Sequence, residues 1–378
     1  MQTCPYQEIC GGCPLRFLDS EKYRAHKIEN FNRILSHISQ QNIKISQPIF
    51  IADGNRRRAE MTFSYKKGKL ILGFNAAQSH EIADIEKCLS LTENLNNLLP
   101  ILREFLAEFC RIKTTVKIKN KLQTSSITQG DIWLIEAANG IDILLEISTN
   151  ISLEHRLLIS DFMQSNAAAI RFSVKIQNGK PETIVEKAKP VVNISGLNVF
   201  IPAGTFLQAS AAGQQALTDC VLRYMGDSCG KIADLFCGIG TFSYPLAQNI
   251  KNKITAADSA PDLLDAFQKT VNALTLPNIK IVQKNLFKYP FDSEELKEFD
   301  IILFDPPRAG ASAQVAQIAA MNPADKPQKV IAISCNPHTF INDANALIAG
   351  GYKLKNVTLT DQFVYADHFE LTALFEKN

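Results

Sequence analysis

Three cysteines, Cys4, Cys10 and Cys13, fall within ten residues, and Gly11-Gly12 fill the gap between the last two. Thiolates at that density suit metal ligation, and the glycines let the chain wrap closely around a centre. A fourth thiol, Cys88 in DIEKCLSL, lies far along the chain. Three clustered thiolates and one remote one match an iron–sulfur cluster, whose irons take four cysteines. Zinc held by four thiolates is the runner-up, and inert buried thiols are the plain alternative. Cys110, Cys220 and Cys229 have no such company and read as ordinary buried cysteines.

A second constellation lies within Lys231–Asp258, in the stretch DLFCGIGTFS, Asp234 to Ser243. The apolar run 232–236 reads as a buried strand, the glycines of 237–241 as a turn, and 242–249 as a helix. A second strand at 254–257 closes on Asp258. Strand, glycine turn, helix, strand and acid form the layout of a nucleotide-type cofactor site, where an acid can hold ribose hydroxyls. The turn lacks the third glycine of a dinucleotide fingerprint, and no GK[ST] follows. NAD and ATP are thereby disfavoured, and S-adenosylmethionine (SAM) fits better.

The elements that must position these residues follow from periodicity. Helical patterning predicts helices over 21–39, 92–109, 153–169, 211–224 and 261–274. Alternation over 55–74 predicts a hairpin turned at Lys67-Gly68, decorated by Arg56, Arg57, Arg58, Lys66, Lys67 and Lys69. Such a basic ribbon suits an RNA surface or a solvated sheet edge. Residues 115–147 and 188–201 alternate like strands. Strands at 279–282, 301–304 and 330–333 end at Asn285, Asp305-Pro306-Pro307-Arg308 and Ser334-Cys335-Asn336-Pro337. Strands alternating with helices predict a doubly wound α/β sheet, with ligands at the carboxyl ends of its strands.

These features divide the chain into 1–90, a cysteine-bearing RNA-binding region; 91–195, a small α/β middle domain; and 196–378, a Rossmann-like catalytic domain. The 378 residues suffice for two or three domains, and 46% hydrophobic with 21% charged residues is ordinary globular composition. No apolar run reaches a membrane span, and the N-terminus has no apolar signal region, so a cytoplasmic protein is expected. Net charge is +2, but residues 1–130 hold 19 Lys and Arg against 12 Asp and Glu. A basic front on an acidic rear suits a polyanion-binding module attached to a catalytic domain.

Taken together, C-x5-CGGC with Cys88, FLQ (206–208), DLFCGIGTFS, DPPR-x-G, SCNP and the terminal HFE (368–370) resemble the SAM-dependent RNA uracil-C5 methyltransferases, which make 5-methyluridine. The resemblance covers nearly the whole chain. It implies a [4Fe-4S] cluster on Cys4, Cys10, Cys13 and Cys88, with no iron left open. It places cofactor contacts at Gln208, Phe236, Thr241, Asp258, Asn285 and Asp305, a nucleophile at Cys335 and a proton-abstracting base at Glu370. Many members carry an additional N-terminal β-barrel; starting at the cysteines suggests the branch acting on 23S ribosomal RNA, with transfer RNA as the alternative. Asp258, Thr241 and HFE stand where the family usually has Glu, Asn and HVE, swaps that keep hydrogen-bonding ability.

The implied chemistry is covalent catalysis: a thiolate adds to uracil C6, C5 takes the methyl, and a base removes the C5 proton before the thiol leaves. The target base would be flipped out or lie in a loop, and Arg308 could support enolate or phosphate charge. His368 reads as structural or RNA-orienting, and Cys237 as a packing residue. The protein is expected to act as a monomer. Competing readings are a radical-SAM enzyme, disfavoured by the C-x5-C-x2-C spacing; a non-catalytic RNA-binding or assembly factor; and a cytosine-C5 methyltransferase, disfavoured because Arg308 rather than cysteine follows the prolines.

Overall fold

The computed structural model describes residues 3–118 and 121–378, so Lys119 and Asn120, within the predicted strands of 115–147, lie outside the described residues. The chain forms two compact units. The first comprises 1–17, 52–192 and 200–210; the second comprises 18–51, 193–199 and 211–378.

The first unit is built on a seven-stranded sheet in the order Glu182–Glu186, Ala169–Ile176, Gly140–Ile147, Gln129–Ala137, Arg58–Lys66, Lys69–Asn75 and Ile82–Asp84. The predicted hairpin is present: Lys66 pairs with Lys69 across Lys67 and Gly68, both with positive φ (51° and 81°), the geometry whose twist suits a two-residue turn. Helices Glu93–Arg111 and Leu153–Ser165 share its core; Leu95, Leu98, Leu102, Phe105, Leu106 and Phe109 recur at helical spacing, and Phe162 stacks near Phe105. Residues 1–90 and 91–195 were expected as separate regions, but strands from both stretches pair in this one sheet, because each contributes one apolar face that the other completes.

The second unit holds a nine-stranded sheet. Five strands run parallel in the order Ile279–Gln283, Lys253–Asp258, Lys231–Leu235, Ile301–Phe304 and Lys329–Ser334. They are short continuous apolar runs, as expected where helices cover both faces. Glu370–Lys377 then adds antiparallel, followed by Tyr352–Asp361. The edge is closed by Lys44–Ile45 and Ile49–Phe50, both parallel to Tyr352–Asp361. Strand order reverses between Lys231–Leu235 and Ile301–Phe304, the switch point where doubly wound sheets bind ligands.

Helix Ser20–Leu35 belongs to this second unit rather than to the cysteine-bearing region. Its apolar stripe buries Phe31 and Leu35 in the core that contains Leu347, Leu359 and Phe369, with Phe31 edge-on to Phe369 at 6.2 Å. Helical period told that the segment was a helix; it carried no information about which core the stripe would enter. Conversely, 200–210, expected within the catalytic domain, falls in the first unit.

Candidate active site

The strand Lys231–Leu235 runs into a turn in which Phe236, Gly238 and Gly240 all take positive φ (60°, 55° and 90°). Each glycine has its own reason. A Cβ on Gly240 would come 2.5 Å from the ring of Phe267, so glycine permits close packing on helix Pro261–Ala273. A Cβ on Gly238 would meet nothing within 4 Å; there the backbone faces open space, with room for a ligand. Both carboxylate oxygens of Asp258 accept backbone N–H groups, from Gly238 and from Ala260, at 3.0 Å each. Asp258 thus ties the turn to the head of the next helix, and its remaining lone pairs stay available to a ribose.

Around this turn the strand ends of the second unit bring together Phe236, Thr241, Asn285 and Asp305. Thr241 is half-buried at the turn's exit. Asn285 accepts from the N–H groups of Phe287 (3.1 Å) and Lys288 (3.2 Å), closing its own loop. Phe287 is exposed and lies 5.3 Å from the ring of Phe236, a neighbour that sequence reasoning missed because it belongs to no motif. Asp234 was also missed as a chemical group. It is fully buried, accepts a 2.5 Å hydrogen bond from Ser243 Oγ, and is pushed up to about 7 by burial and then by Asp305 and Asp258. Gln208 belongs to the first unit, where its carbonyl accepts from Arg57 Nε at 3.1 Å.

Cys335 follows the last parallel strand, and Glu370 opens the antiparallel strand beside it; pairing of Ser334 with Leu371 makes them neighbours. Asp305 ends the adjacent strand, its N–H directed to Leu235 O at 3.4 Å. Burial, then Glu370 and Asp305, push the Cys335 thiol up to about 11, while Arg308 pulls it down. Glu370 is buried. Gln362 donates to its Oε1 at 3.2 Å, and its Oε2 has no hydrogen-bond partner among the described residues. Burial, then Asp305, hold this carboxyl well above the ordinary range. Negative charge on Glu370 and Asp305 thus disfavours the Cys335 thiolate, and charge on Asp305 disfavours the Glu370 carboxylate. Asn336 orders the surroundings: its Oδ1 caps helix Pro337–Ala349 through His338 N–H (3.1 Å), and its Nδ2 donates to Arg308 O (2.8 Å), fastening the DPPR loop. His368 is exposed, and partial burial of its ring together with Arg308 lowers its basicity.

A buried polar cluster braces the segment leading to Glu370. Lys27 is fully buried, pairs with Asp361 at 3.1 Å and donates to His368 O at 2.5 Å. Tyr23 donates to the other Asp361 oxygen at 2.5 Å and accepts from Tyr365 N–H at 2.9 Å. Lys27 lies on the same helix face as Tyr23, Phe31 and Leu35, and pairing across 334 positions is what lets a charge sit there.

In the first unit, Cys4, Cys10, Cys13 and Cys88 line one pocket, together with Arg16 and Ser90. Gly11 N–H donates to Asn75 O at 3.1 Å, and a Cβ there would press on Ala77 and Asn75 at 3.2 Å. Asn96 fixes the Cys88 loop by accepting from Cys88 N–H (2.8 Å) and donating to Cys88 O (2.9 Å). Arg16, paired with Asp53 at 2.6 Å, points a second nitrogen toward Cys13 Sγ at 3.8 Å. Burial first, with Cys13 and Cys10 adding, raises Cys88 to about 11, and the Ser90 and Leu91 N–H groups lower it. Among the described residues no group of three or more His, Cys, Asp or Glu forms a metal-ion site. The four expected ligands thus line one pocket.

Two expectations are corrected. The arginines at the hairpin's root are not a solvated ribbon: Arg57 is buried and Arg58 lies over the exposed Phe206 ring at 4.2 Å, with burial lowering both to about 10. Lys66, Lys67 and Lys69 are exposed as expected. Cys229 is exposed, whereas Cys110, Cys220 and Cys237 are buried; it follows the helix end in a polar turn with no apolar neighbours in sequence to draw it inward.

Comparison with known proteins identifies the lineage. Residues 184–378 match the family described as tRNA (Uracil-5-)-methyltransferase. An RNA methyltransferase of Rhizobium meliloti is 31% identical over 371 residues, covering 97% of this chain and 82% of the relative. The chain belongs to this family. It is a SAM-dependent RNA uracil-5-methyltransferase. A further relative is the 23S rRNA (uracil(1939)-C(5))-methyltransferase RlmD of Vibrio parahaemolyticus, 27% identical over 99% of this chain and 82% of the relative. The crystal structure of Pyrococcus abyssi tRNA (uracil-54, C5)-methyltransferase with S-adenosyl-L-homocysteine shares the fold, with TM-score 0.73 and 19% identity over 99% of this chain and 87% of that one. No helix among the described residues is long and apolar enough to cross a membrane.

Proposed function

We propose that the protein methylates C5 of a uridine in 23S ribosomal RNA by covalent catalysis, with Cys335 as nucleophile and Glu370 as base. The observation that carries this reading is the buried Glu370, with an unpartnered oxygen, next to Cys335 on the neighbouring strand. Cys335 Sγ adds to C6 of the flipped uracil, its proton passing to solvent, and the ring becomes an enolate that is nucleophilic at C5. SAM supplies the electrophilic methyl group. Phe236, Gly238, Thr241, Asp258, Asn285 and Asp305 of the second unit are the residues assigned to hold it. Glu370 then takes the C5 proton, the C5–C6 double bond re-forms, and Cys335 departs as thiolate. Arg308 supports the developing enolate or the adjoining phosphate. A carboxyl held above its ordinary range is matched to proton transfer near neutrality.

Cys4, Cys10, Cys13 and Cys88 are proposed to hold a [4Fe-4S] cluster that fastens the first unit. The fit rests on four thiols at one pocket and on N–H groups directed at Cys88. Ribosomal RNA is favoured by the Vibrio relative, and transfer RNA is the alternative. The test uses radiolabelled SAM with 23S rRNA and tRNA on denaturing gels. Glu370→Gln should accumulate a labelled protein–RNA adduct, and Cys335→Ala should give neither adduct nor methylated RNA. Methylation by Cys335→Ala would overturn the mechanism, and label only in tRNA would overturn the target.

A further inference from the structure

The second unit carries a large groove, about 1030 Å³, that the reaction chemistry does not use. His26, Asn30 and Arg33 of helix Ser20–Leu35 line one side, with His37 just beyond its end; the spacings of four, three and four place them on one stripe. His338, Ile341 and Asn342 of helix Pro337–Ala349 line the other, again at one-face spacing. Pro337, Asp367 and Phe369 complete the lining; along the chain Pro337 is two residues from Cys335 and Phe369 one from Glu370. Three of the chain's six histidines meet here. Arg33 is exposed, bonds Asn30 Oδ1 at 3.0 Å, and has no ion pair among the described residues. Asp367 is the one carboxylate among the lining residues.

We infer that this groove holds the single-stranded RNA that flanks the target uridine. The inference rests on the RNA-methyltransferase reading and extends it to a second set of substrate contacts. The volume is at the upper end of small-molecule sites, and the groove is open and elongated along two helices, which suits a polymer segment. Arg33 and the imidazoles of His37 and His338 offer donors to phosphate oxygens. Asn30, whose Nδ2 meets His26 Nε2 at 2.9 Å while its Oδ1 accepts from Arg33, orders that side of the groove. Asn342 offers both donor and acceptor to base edges, and Ile34 and Ile341 add apolar lining. Pro337 and Phe369, which line the groove, adjoin Cys335 and Glu370 along the chain, so a strand whose base enters beside Cys335 has the groove next to its path.

The test measures binding of labelled oligouridine RNA to the full chain by filter retention, across a salt series, alongside SAM affinity by calorimetry and methylation of total RNA. Arg33→Glu and the pair His26→Ala/His338→Ala should each weaken RNA binding at least about tenfold. The salt slope should fall by about one for Arg33→Glu, KM for RNA should rise, and SAM affinity should hold. Arg33→Lys should restore most of the binding, which a folding defect would not allow. Unchanged RNA affinity and salt slope in both variants would overturn the groove assignment. A wild-type chain that binds oligouridine but methylates no uridine would fail the functional reading instead, and the binding comparison would still decide the groove.

Discussion

Cys88 and Cys335 are both half-buried thiols pushed up to about 11, yet their neighbours differ. Around Cys88 the next influences are other thiols and backbone N–H groups, with Arg16 beside Cys13. Around Cys335 they are the carboxylates Glu370 and Asp305, opposed by Arg308. Four thiols that repel one another as thiolates are relieved by a cationic centre, which suits metal ligation. A thiol facing carboxylates stays protonated until substrate changes the local charge, which suits a nucleophile held in reserve. Burial sets the same starting point at both sites, and the charge of the neighbours separates a ligand from a nucleophile.

The contrast breaks most visibly if the thiols are exchanged in role. Protein purified without oxygen should carry about four irons per chain, and Cys88→Ser should lose them, while Cys335→Ser should keep its iron and lose turnover. Colourless protein carrying one zinc would remove the basis for the comparison. Lys27→Met tests the brace behind Glu370. It leaves Asp361 buried and uncompensated, so unfolding free energy should drop by about 3–5 kcal/mol, measured by urea denaturation; a loss below roughly 1 kcal/mol would mean that Asp361 is rehydrated. Asp258→Ala should weaken SAM binding by about 1–3 kcal/mol, as read by calorimetry, through loss of both the ribose acceptor and the Gly238 tether.

The smallest effect concerns pH. Glu370 holds its proton in the folded chain above the pH at which the unfolded chain releases it. Its stabilising contribution is full below about pH 4.3, the unfolded value, and is lost as pH rises through the elevated folded value. Glu370→Gln keeps the acceptor for Gln362 without the charge. Its unfolding free energy relative to the native chain should therefore climb between about pH 5 and pH 9, on the order of 1 kcal/mol or more, as read by urea denaturation across that range. A constant difference would show that Glu370 ionises freely, as an exposed carboxyl would.

Much of the second unit was legible because its motifs sit where strands stop. The turn after Leu235, the acid at Asp258, Asp305 after Phe304 and Cys335 after Ser334 all occupy carboxyl ends of parallel strands, as alternating strands and helices predict. The hairpin at Lys67-Gly68 was legible for a local reason, since only two residues with positive φ separate the runs. What escaped depends on distant partners. Arg57 looks like surface charge until Gln208 and the backbone of Ala209 are beside it. Helix Ser20–Leu35 looks like part of the cysteine region until Phe369 and Asp361 are placed against it. Glu370 was legible only through the terminal HFE pattern; taken alone it reads as half of a structural ion pair, and its burial could not be foreseen.

The bond from Tyr23 to Asp361 joins positions 338 residues apart. On the ribosome, helix Ser20–Leu35 and the strands at 44–45 and 49–50 emerge well ahead of their partner strand Tyr352–Asp361. At synthesis rates of about 5–20 residues per second, that wait lasts roughly 17–70 s. For that interval the early helix holds an apolar stripe and Lys27 with no core to enter, a state that chaperones recognise and that aggregation exploits. The first unit's sheet needs nothing beyond Glu186, so it can close while the methyltransferase sheet is still being made. Synthesis of Tyr352–Asp361, rather than any earlier milestone, is the event that lets the second unit's sheet acquire its far edge.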